Sequence, residues 1–247
     1  MSTYNNEKTI SDSILSIVNQ KYKNWEFLII DDASKDRTAE KIEKIIKNNK
    51  QIKLFKNKVN KGLAYNLNIL AKYSSNKYLA RMDADDIAMP MRLSKQIDYI
   101  IKNPDIDVLG TAAEIVYQGK IKKIFPRQNH NEILKNIIIK TPFIHPTVLM
   151  KKSFLEKNKF YKEKIGEVED LDLWLRSCNT SKFHNLDEVL LTYNFNGQKM
   201  SRILRSFNLH IKFSIKQLNL FYFFQSFLVL FLVLSDKFKI RKLSSLK

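Results

Sequence analysis

Apolar positions in the first half of the chain follow two spacings in turn. Residues 7–19 place isoleucines at the spacing of one helix face, and a short continuous apolar run follows at 27–30. That run ends at Asp31 and Asp32 and is typical of a buried parallel strand. Ser34 is placed to cap a helix whose apolar face covers 39–46.

The same alternation continues along the chain and defines the fold class. We predict further strands at 52–55, 78–82, 107–116 and 189–195, and further helices at 63–73, 90–102, 131–139, 152–158, 170–177 and 199–216. Strands that alternate with helices predict an α/β fold with a parallel sheet covered on both faces. Ligands of such sheets bind beyond the carboxyl ends of the strands.

Acidic residues cluster at two of these strand ends. The stretch "ARMDADD" places Asp83, Asp85 and Asp86 directly after the strand at 78–82, and Asp32 ends the strand at 27–30. Crowded carboxylates repel one another unless a cation lies among them or water surrounds them. Oxygen ligands of this kind suit Mg²⁺ or Mn²⁺ bound to substrate phosphates. The alternatives are an ordinary acidic loop, and an N-cap role for Asp86, which we favour for that residue.

The charge of the chain indicates an anionic partner. There are 43 lysines and arginines against 25 acidic residues, a formal charge of +18. Nucleic acid, phospholipid headgroups and a nucleotide-bearing substrate all fit this charge, and so does a compositional bias towards lysine. The single cysteine, Cys178, excludes an internal disulfide and a cysteine-based zinc site, and indicates a reducing compartment.

Half of the excess charge lies in the last fifth of the chain. Residues 199–247 contain ten basic residues and one acidic residue, a net charge of +9. Within this segment, 217–235 contains no charged residue and would span about 28 Å as a helix, close to the thickness of a bilayer core. We predict a membrane-binding appendage on the cytoplasmic side. The alternative is a helical pair that packs on the preceding domain or on a second subunit.

Five stretches in a fixed order resemble the inverting, nucleotide-sugar-dependent glycosyltransferases of family 2, which have the GT-A fold. They are "STYNNEKTISDSILSIVNQKYKNWEFLIIDDASKDRT" (2–38), "NKGLAYNLN" (60–68), "YLARMDADDIAMPMRLSKQ" (78–96), "HPTVLMKKSF" (145–154) and "EDLDLWLR" (169–176). The resemblance covers about residues 2–205 and is to enzymes of the bacterial surface-polysaccharide type.

The resemblance implies a division of the chain. Its GT-A domain, a Rossmann-like mixed and mostly parallel sheet flanked by helices, would cover 1–198. Within it, 1–105 would bind the nucleotide sugar and 106–198 the acceptor, and 199–247 would form the helical tail. The family also begins with an apolar strand ahead of the position of Ser2, where this sequence has only Met1. We expect the chain to continue upstream, and a slot with unpaired backbone groups in the sheet.

The resemblance also implies roles for the donor-side residues. Asp32 would accept a hydrogen bond from the nucleotide base, and Ser2, Thr3 and Tyr4 would line the same pocket. The alternative for Asp32 is an ordinary turn or capping residue before Ser34. A divalent cation, Mn²⁺ or Mg²⁺, would be held with the sugar diphosphate by Asp83 and Asp85, with Asp85 as the closer ligand.

On the acceptor side, Asp170 would be the general base that takes the proton from an acceptor hydroxyl, and Glu169 beside it would contact substrate. Both acids could instead be ordinary first-turn residues that the helix dipole favours. His145 could touch a phosphate or the acceptor, or be structural. For Trp174 and Arg176 we expect packing and a structural ion pair, with contact to the acceptor as the alternative.

The resulting prediction is an inverting transferase that moves a sugar from a UDP-sugar to a hydroxyl of a glycan or lipid-linked acceptor at the cytoplasmic face of the membrane. It would act in the synthesis of a cell-surface polysaccharide such as O-antigen or capsule. One alternative is a nucleotidyltransferase of related architecture, although residues 1–38 lack the glycine-rich loop it needs. The other is a non-catalytic basic module that binds nucleic acid or membrane. We expect no nucleic acid, because no recognition motif is present.

Overall fold

The computed structural model describes residues 1–231 except 48, 196, 198 and 219. Its strands are β1 (Ser2–Thr3), β2 (Phe27–Asp31), β3 (Ile52–Lys56), β4 (Tyr78–Ala80), β5 (Ile87–Ala88), β6 (Val108–Tyr117), β7 (Lys120–Ile124), β8 (Leu149–Lys151) and β9 (Phe183–Asn194). Its helices are α1 (Ile10–Val18), α2 (Thr38–Ile46), α3 (Leu63–Tyr73), α4 (Arg92–Lys102), α5 (His130–Asn136), α6 (Lys152–Lys157), α7 (Glu169–Ser177), α8 (Met200–Lys216) and α9 (residues 220–231), with a 3₁₀ turn at His145–Thr147.

The first sheet matches the prediction of parallel strands. Its order is β1-β2-β3, and both pairings are parallel. Every residue of β2 is buried, which is why this strand is a continuous apolar run rather than an alternating one. Asp31 is the last residue of β2 and Asp32 follows it, so both acids lie at the carboxyl end of the sheet.

The second sheet confirms an α/β fold but is mixed. Its order is β4-β8-β6-β9-β5, with β7 paired to β6. Only β6 and β9 pair in parallel; β4, β7, β5 and β8 make antiparallel pairs. The two- and three-residue strands β5 and β8 are too short to leave a period-two pattern in the sequence. β9 begins at Phe183, six residues before the strand that we predicted at 189–195.

Aromatic side chains hold the second sheet to its helices. Trp174 of α7 is fully buried, and the rings of Phe143, Phe154 and Phe183 lie around it with centroids 4.9 to 6.2 Å away. Trp174 therefore packs, as expected. Phe213 of α8 belongs to the same core, so α8 packs on the domain through this side chain.

A cavity of about 310 Å³ separates the two sheets. Phe27 and Leu28 of β2 line one side, and Leu79 of β4 lies on the other. The amino group of Met1 donates to the carbonyl of Leu28 at 2.8 Å. Among the described residues, β4 pairs only with β8 and has no strand on its other edge. The cavity therefore lies between β2 and β4, where the sequence analysis expects a gap in the sheet. That the chain continues ahead of Met1 stays a prediction.

The uncharged run of the tail does not form one continuous helix. α8 ends at Lys216, Leu218 has a positive φ of 48°, and α9 covers 220–231. Residues 232–235 of the run lie outside the described residues. Of the helices in the described part of the chain, none combines the length and the apolar character needed to cross a membrane.

Candidate active site

The acid loop, residues 83–86, is held in place by the first helix of the chain. The fully buried hydroxyl of Ser13 lies 2.9 Å from the carbonyl of Ala84 and 2.7 Å from that of Asp86. Thr9 donates to the carbonyl of Ala84 at 3.0 Å. These hydrogen bonds from Thr9 and Ser13 hold the backbone of the acid loop against the start of α1. One carboxylate oxygen each of Asp83, Asp85 and Asp86 lies within 4.8 Å of the others.

Part of the positive charge that these acids need comes from the chain itself. Arg81 is buried and pairs with Asp83 through two contacts of 2.7 Å, one to each carboxylate oxygen. Burial acts to lower the pKa of Arg81, but the charges of Asp83 and Asp86 outweigh it and raise the pKa above its usual value. The sequence analysis did not assign Arg81, although it lies two positions before Asp83 in the same motif.

Asp86 is not the N-cap that we predicted. It is fully buried, and α4 begins only at Arg92, with Met91 in the capping position. One oxygen of Asp86 accepts from the backbone N–H of Asn194 at 3.1 Å; the other has no hydrogen-bond partner in the described part of the chain. Burial and the neighbouring charge of Asp83 raise the pKa of Asp86 to about 8.

The acid loop fits a divalent cation. Its donors are all carboxylate oxygens, the ligands that Mg²⁺ and Mn²⁺ prefer. The buried oxygen of Asp86 that lacks a hydrogen bond is the kind of group that a cation or a water bound to it would satisfy.

Asp32 is held rigidly at the donor end of the site. Its carboxylate accepts from the backbone N–H groups of Lys61 and Gly62, at 2.8 and 2.9 Å, and from the side chain of Asn57 at 2.7 Å. Burial would raise the pKa of Asp32, but these hydrogen bonds together lower it below its usual value. Gly62 has a φ of +86°, a conformation that favours glycine and that lets both N–H groups face one carboxylate.

The other predicted donor-side residues lie around the end of β1. The hydroxyl of Ser2 accepts from Asn66 at 2.9 Å, and the buried Thr3 donates to Asn6 at 3.0 Å. Tyr4 is 43 % exposed, so its ring is available to a ligand. Ser34 does not cap α2, contrary to prediction, because α2 begins at Thr38 and Arg37 holds the capping position. The hydroxyl of Ser34 instead donates to Asp31 and accepts from the backbone N–H of Asn5.

Asp170 lies at the acceptor end, in the first turn of α7, and is buried. Its Oδ2 is 3.4 Å from Nη2 of Arg202 and 4.0 Å from Nδ1 of His145. Burial first, and then the charges of Arg81 and Arg202, hold the pKa of His145 well below its usual range. His145 is therefore neutral and forms no ion pair with Asp170. The Oδ1 of Asp170 has no hydrogen-bond partner among the described residues.

Glu169 and Asp172 on the same helix have different environments. Burial, and then the charge of Asp170, raise the pKa of Glu169 to about 7. Asp172 binds Lys162 and Arg176, each at 2.7 Å, which makes it part of a structural ion pair and bears out the expectation for Arg176.

The acid loop and the first turn of α7 share one electrostatic environment. The charge of Arg81 acts on His145, on Glu169 and on Tyr161, whose hydroxyl lies 3.1 Å from Nε2 of His145. Arg202 acts on His145 and Glu169 as well. The fold thus brings the two predicted halves of the site together. Arg202, which the sequence analysis did not assign, lies in the first turn of α8 and reaches Asp170 from there.

The sequence is similar to those of known glycosyltransferases. The family model described as Glycosyl transferase family 2 matches residues 1–159. The putative glycosyltransferase EpsE of Bacillus subtilis is 35 % identical over 217 residues, covering 85 % of this chain and 76 % of EpsE. The O-antigen biosynthesis glycosyltransferase WbnJ of Escherichia coli is 30 % identical over 207 residues, covering 82 % of this chain and 80 % of WbnJ.

A third relative has a more specific name. WfgD of Escherichia coli, named a UDP-Glc:alpha-D-GlcNAc-diphosphoundecaprenol beta-1,3-glucosyltransferase, is 35 % identical over 178 residues, covering 71 % of this chain and 66 % of WfgD.

Solved structures share the fold at low sequence identity. Residues 1–349 of Staphylococcus aureus TarS, solved in complex with UDP, align with a TM-score of 0.69 and 21 % identity, covering 88 % of this chain and 64 % of that one. The mannosyltransferase PcManGT of Pyrobaculum calidifontis, solved with GDP-Man and Mn²⁺, aligns with a TM-score of 0.63 and 13 % identity, covering 92 % of this chain and 72 % of that one. The chain therefore spans just under two thirds of the TarS fragment.

Proposed function

The chain belongs to glycosyltransferase family 2, and we propose that it moves a sugar from a UDP-sugar to a hydroxyl of a lipid-linked glycan during synthesis of a cell-surface polysaccharide. One observation carries the proposal: Asp170 has a buried carboxylate oxygen without a hydrogen-bond partner in the described part of the chain. Its neighbour Glu169 is influenced by the charge of Arg81, the residue that pairs with Asp83 of the acid loop. The donor named for WfgD and its diphosphoundecaprenol acceptor support the substrate classes.

The donor side binds and orients the nucleotide sugar. Asp32 accepts from the base, in addition to the two backbone N–H groups it already holds, and Ser2, Thr3 and Tyr4 line the pocket. Because its carboxylate is fixed by three hydrogen bonds, Asp32 is preorganised for a planar base. Asp83 and Asp85 would hold a divalent cation at the acid loop.

When bound, the cation supplies positive charge to the diphosphate that leaves. Asp83 already shares its two oxygens with Arg81, so it orients the loop as well as offering an oxygen.

The acceptor side activates the hydroxyl. Asp170 takes the proton from the acceptor oxygen as that oxygen attacks the anomeric carbon, and Glu169 contacts the same substrate. Attack on the face opposite the leaving diphosphate inverts the anomeric centre. His145 is neutral and bonded to Tyr161, so it supports the wall of the site rather than the proton transfer.

The cellular setting follows from the acceptor. A hydroxyl on a lipid-linked glycan lies at a membrane, and the donor is a cytoplasmic metabolite. We therefore place the chain at the cytoplasmic face of the membrane, attached through the part of the tail (199–247) that follows α8. The two alternatives from the sequence, a nucleotidyltransferase and a non-catalytic basic module, do not account for membership of this family.

Calorimetric titration with UDP tests the donor site. We expect UDP to bind in the presence of Mn²⁺, and Asp85→Ala to weaken that binding at least about tenfold, because a carboxylate ligand to the cation is lost. Asp98→Ala, an exposed residue on α4, is the matched control and should bind like the wild type. Metal-independent binding, or equal loss in both variants, would contradict the assignment.

Asp170→Asn separates the donor site from the chemistry. It should leave UDP binding unchanged and lower the rate of transfer about 10²- to 10⁴-fold, as expected for loss of a general base. Transfer is measured as UDP released from a panel of UDP-sugars in the presence of lipid-linked acceptors. A variant that keeps the wild-type rate would exclude Asp170 as the base.

A further inference from the structure

The helix α9 exposes a continuous apolar surface, which we call the α9 face. It consists of six large side chains, each between 48 % and 74 % exposed: Leu220, Phe221, Phe224, Phe227, Leu228 and Phe231. These residues recur at one, four, seven, eight and eleven positions after Leu220, which places all six on one side of the helix. Exposed apolar surface of this extent is typical of an interface with a membrane or another molecule.

The opposite side of α9 is packed on the domain. The ring of Tyr222 stacks on Phe213 of the core, with centroids 6.2 Å apart, and its hydroxyl donates to the carbonyl of Leu134 on α5 at 3.4 Å. At the edge of the α9 face, the partly exposed ring of Phe227 also meets Phe207 of α8 edge-on, with centroids 5.1 Å apart. The α9 face therefore points away from the domain, because the opposite side of the helix packs on Phe213 and Leu134.

Charge decides what covers this surface. Lys212 and Lys216 are exposed on the last turns of α8, directly before α9. The sequence after α9 adds Lys237, Lys239 and further basic residues with a single acid, and the whole of 199–247 carries a net charge of +9. A second copy of this chain would bring two such charges together, and they would repel. Anionic headgroups instead complement the charge while the acyl region takes the apolar side chains.

We propose that the α9 face docks on an anionic lipid bilayer and lies in its interface. The six exposed apolar side chains share one side of α9 and Tyr222 on the other side packs on the domain, so α9 presents its side to the bilayer and lies along the surface. The functional consequence rests on the proposed function, because a lipid-linked acceptor presents its hydroxyl at this same surface. α8 connects the two, since Arg202 in its first turn contacts Asp170 and α9 follows its last turn.

Co-sedimentation of the full chain with vesicles tests the proposal. We expect binding to phosphatidylcholine vesicles that contain phosphatidylglycerol, and much weaker binding to phosphatidylcholine alone. Phe221→Ser combined with Phe224→Ser should reduce the partition coefficient at least about tenfold, because two aromatic side chains no longer enter the interface. Ile121→Ser combined with Phe125→Ser removes two similarly exposed apolar residues elsewhere and should bind like the wild type.

Circular dichroism and UDP titration of both double variants accompany the vesicle assay. Unchanged spectra and unchanged UDP binding show that lost sedimentation comes from the surface and not from the fold or the donor site. Absence of wild-type binding, or equal loss in the two double variants, would overturn the proposal. A wild-type dimer that Phe221→Ser/Phe224→Ser converts to a monomer, with vesicle binding unchanged, would assign the α9 face to a second copy instead. Failure of UDP binding alone would count against the proposed function only.

Discussion

The charged groups described at the site are paired to different degrees. Arg81 holds Asp83, and Lys162 and Arg176 hold Asp172. Asp170 has only the 3.4 Å contact with Arg202, a partly exposed side chain, and leaves one oxygen without a hydrogen bond among the described residues. A carboxylate oxygen arranged in this way still has a lone pair for an acceptor hydroxyl. Arg202 is then a positioning residue for Asp170.

Arg202→Gln should lower the rate constant of transfer about tenfold and leave UDP affinity unchanged, because a charge-assisted contact to the base is lost while the donor side is untouched. Arg202→Lys should recover part of the rate, since it keeps the charge without the forked geometry. Lys212→Gln removes a charge from the same helix farther from Asp170 and should behave like the wild type in a detergent-solubilised assay. Equal losses in Arg202→Gln and Lys212→Gln would show a general charge effect instead.

Glu169 makes the stability of the protein depend on pH. The pKa of Glu169 is about 7 in the folded chain, whereas its ordinary value is 4.5. Between pH 4.5 and pH 7, the folded chain therefore keeps a proton on Glu169 that the unfolded chain has lost. Stability is therefore highest below about pH 4.5 as far as Glu169 is concerned, falls as the pH rises to about 7, and stays low above it. Glu169→Gln cannot ionise and avoids this loss.

We expect Glu169→Gln to melt a few degrees higher than the wild type at pH 8, and at nearly the same temperature at pH 5. Differential scanning fluorimetry at the two pH values measures this difference. Glu156→Gln, on the exposed side of α6, is the control and should shift the melting temperature little at either pH. An equal shift at both pH values for Glu169→Gln would refute the assignment of the pH dependence to Glu169.

At the scale of elements, α1 acts as the support of the acid loop. Its first turns contribute Thr9 and Ser13, whose hydroxyls reach backbone carbonyls more than seventy positions later in the chain. A loop of three neighbouring acids would otherwise separate by repulsion. The hydrogen bonds from α1 thus hold the three carboxylates close together despite their repulsion.

Ser13→Ala should destabilise the fold by about 1–3 kcal/mol, because the carbonyls of Ala84 and Asp86 lose a buried donor. It should also weaken metal-dependent UDP binding, although Ser13 is not a ligand. Thermal melting and UDP titration measure the two effects. Ser94→Ala on α4, whose hydroxyl bonds only within its own turn, should change neither. Normal UDP binding by Ser13→Ala would show that the loop keeps its shape without the Ser13 hydroxyl.

At the scale of the whole molecule, the tail and the domain are joined more closely than a boundary at residue 198 suggests. Ile203 and Phe213 of α8 are buried, Leu209 packs against the same core, and Arg202 reaches Asp170. We propose that α8 is an integral part of the GT-A domain and that the membrane-binding unit begins after it.

A chain ending at residue 198 should therefore be much less stable than the full chain, because each large apolar side chain removed from a core costs about 2–5 kcal/mol. A chain ending at residue 218 keeps α8 and should retain the fold and UDP binding while it loses vesicle binding. Thermal melting and co-sedimentation of the two truncated chains distinguish the effects. A 1–198 chain that melts with the full-length protein would restore the original boundary.

The sequence by itself determined the features that depend on short stretches. Periodicity located nearly all the longer helices and strands, Asp32 and Asp83 appeared at strand ends, and five ordered motifs identified the family. The tertiary structure alone decided the mixed pairing of the second sheet, the burial of Asp86, and the contact between Arg202 and Asp170. Arg202 and Asp170 are separated by 32 residues, and no local pattern encodes their meeting. It arises because α7 and α8 bury their apolar faces in one core, and that packing brings a charge on each helix to the same place.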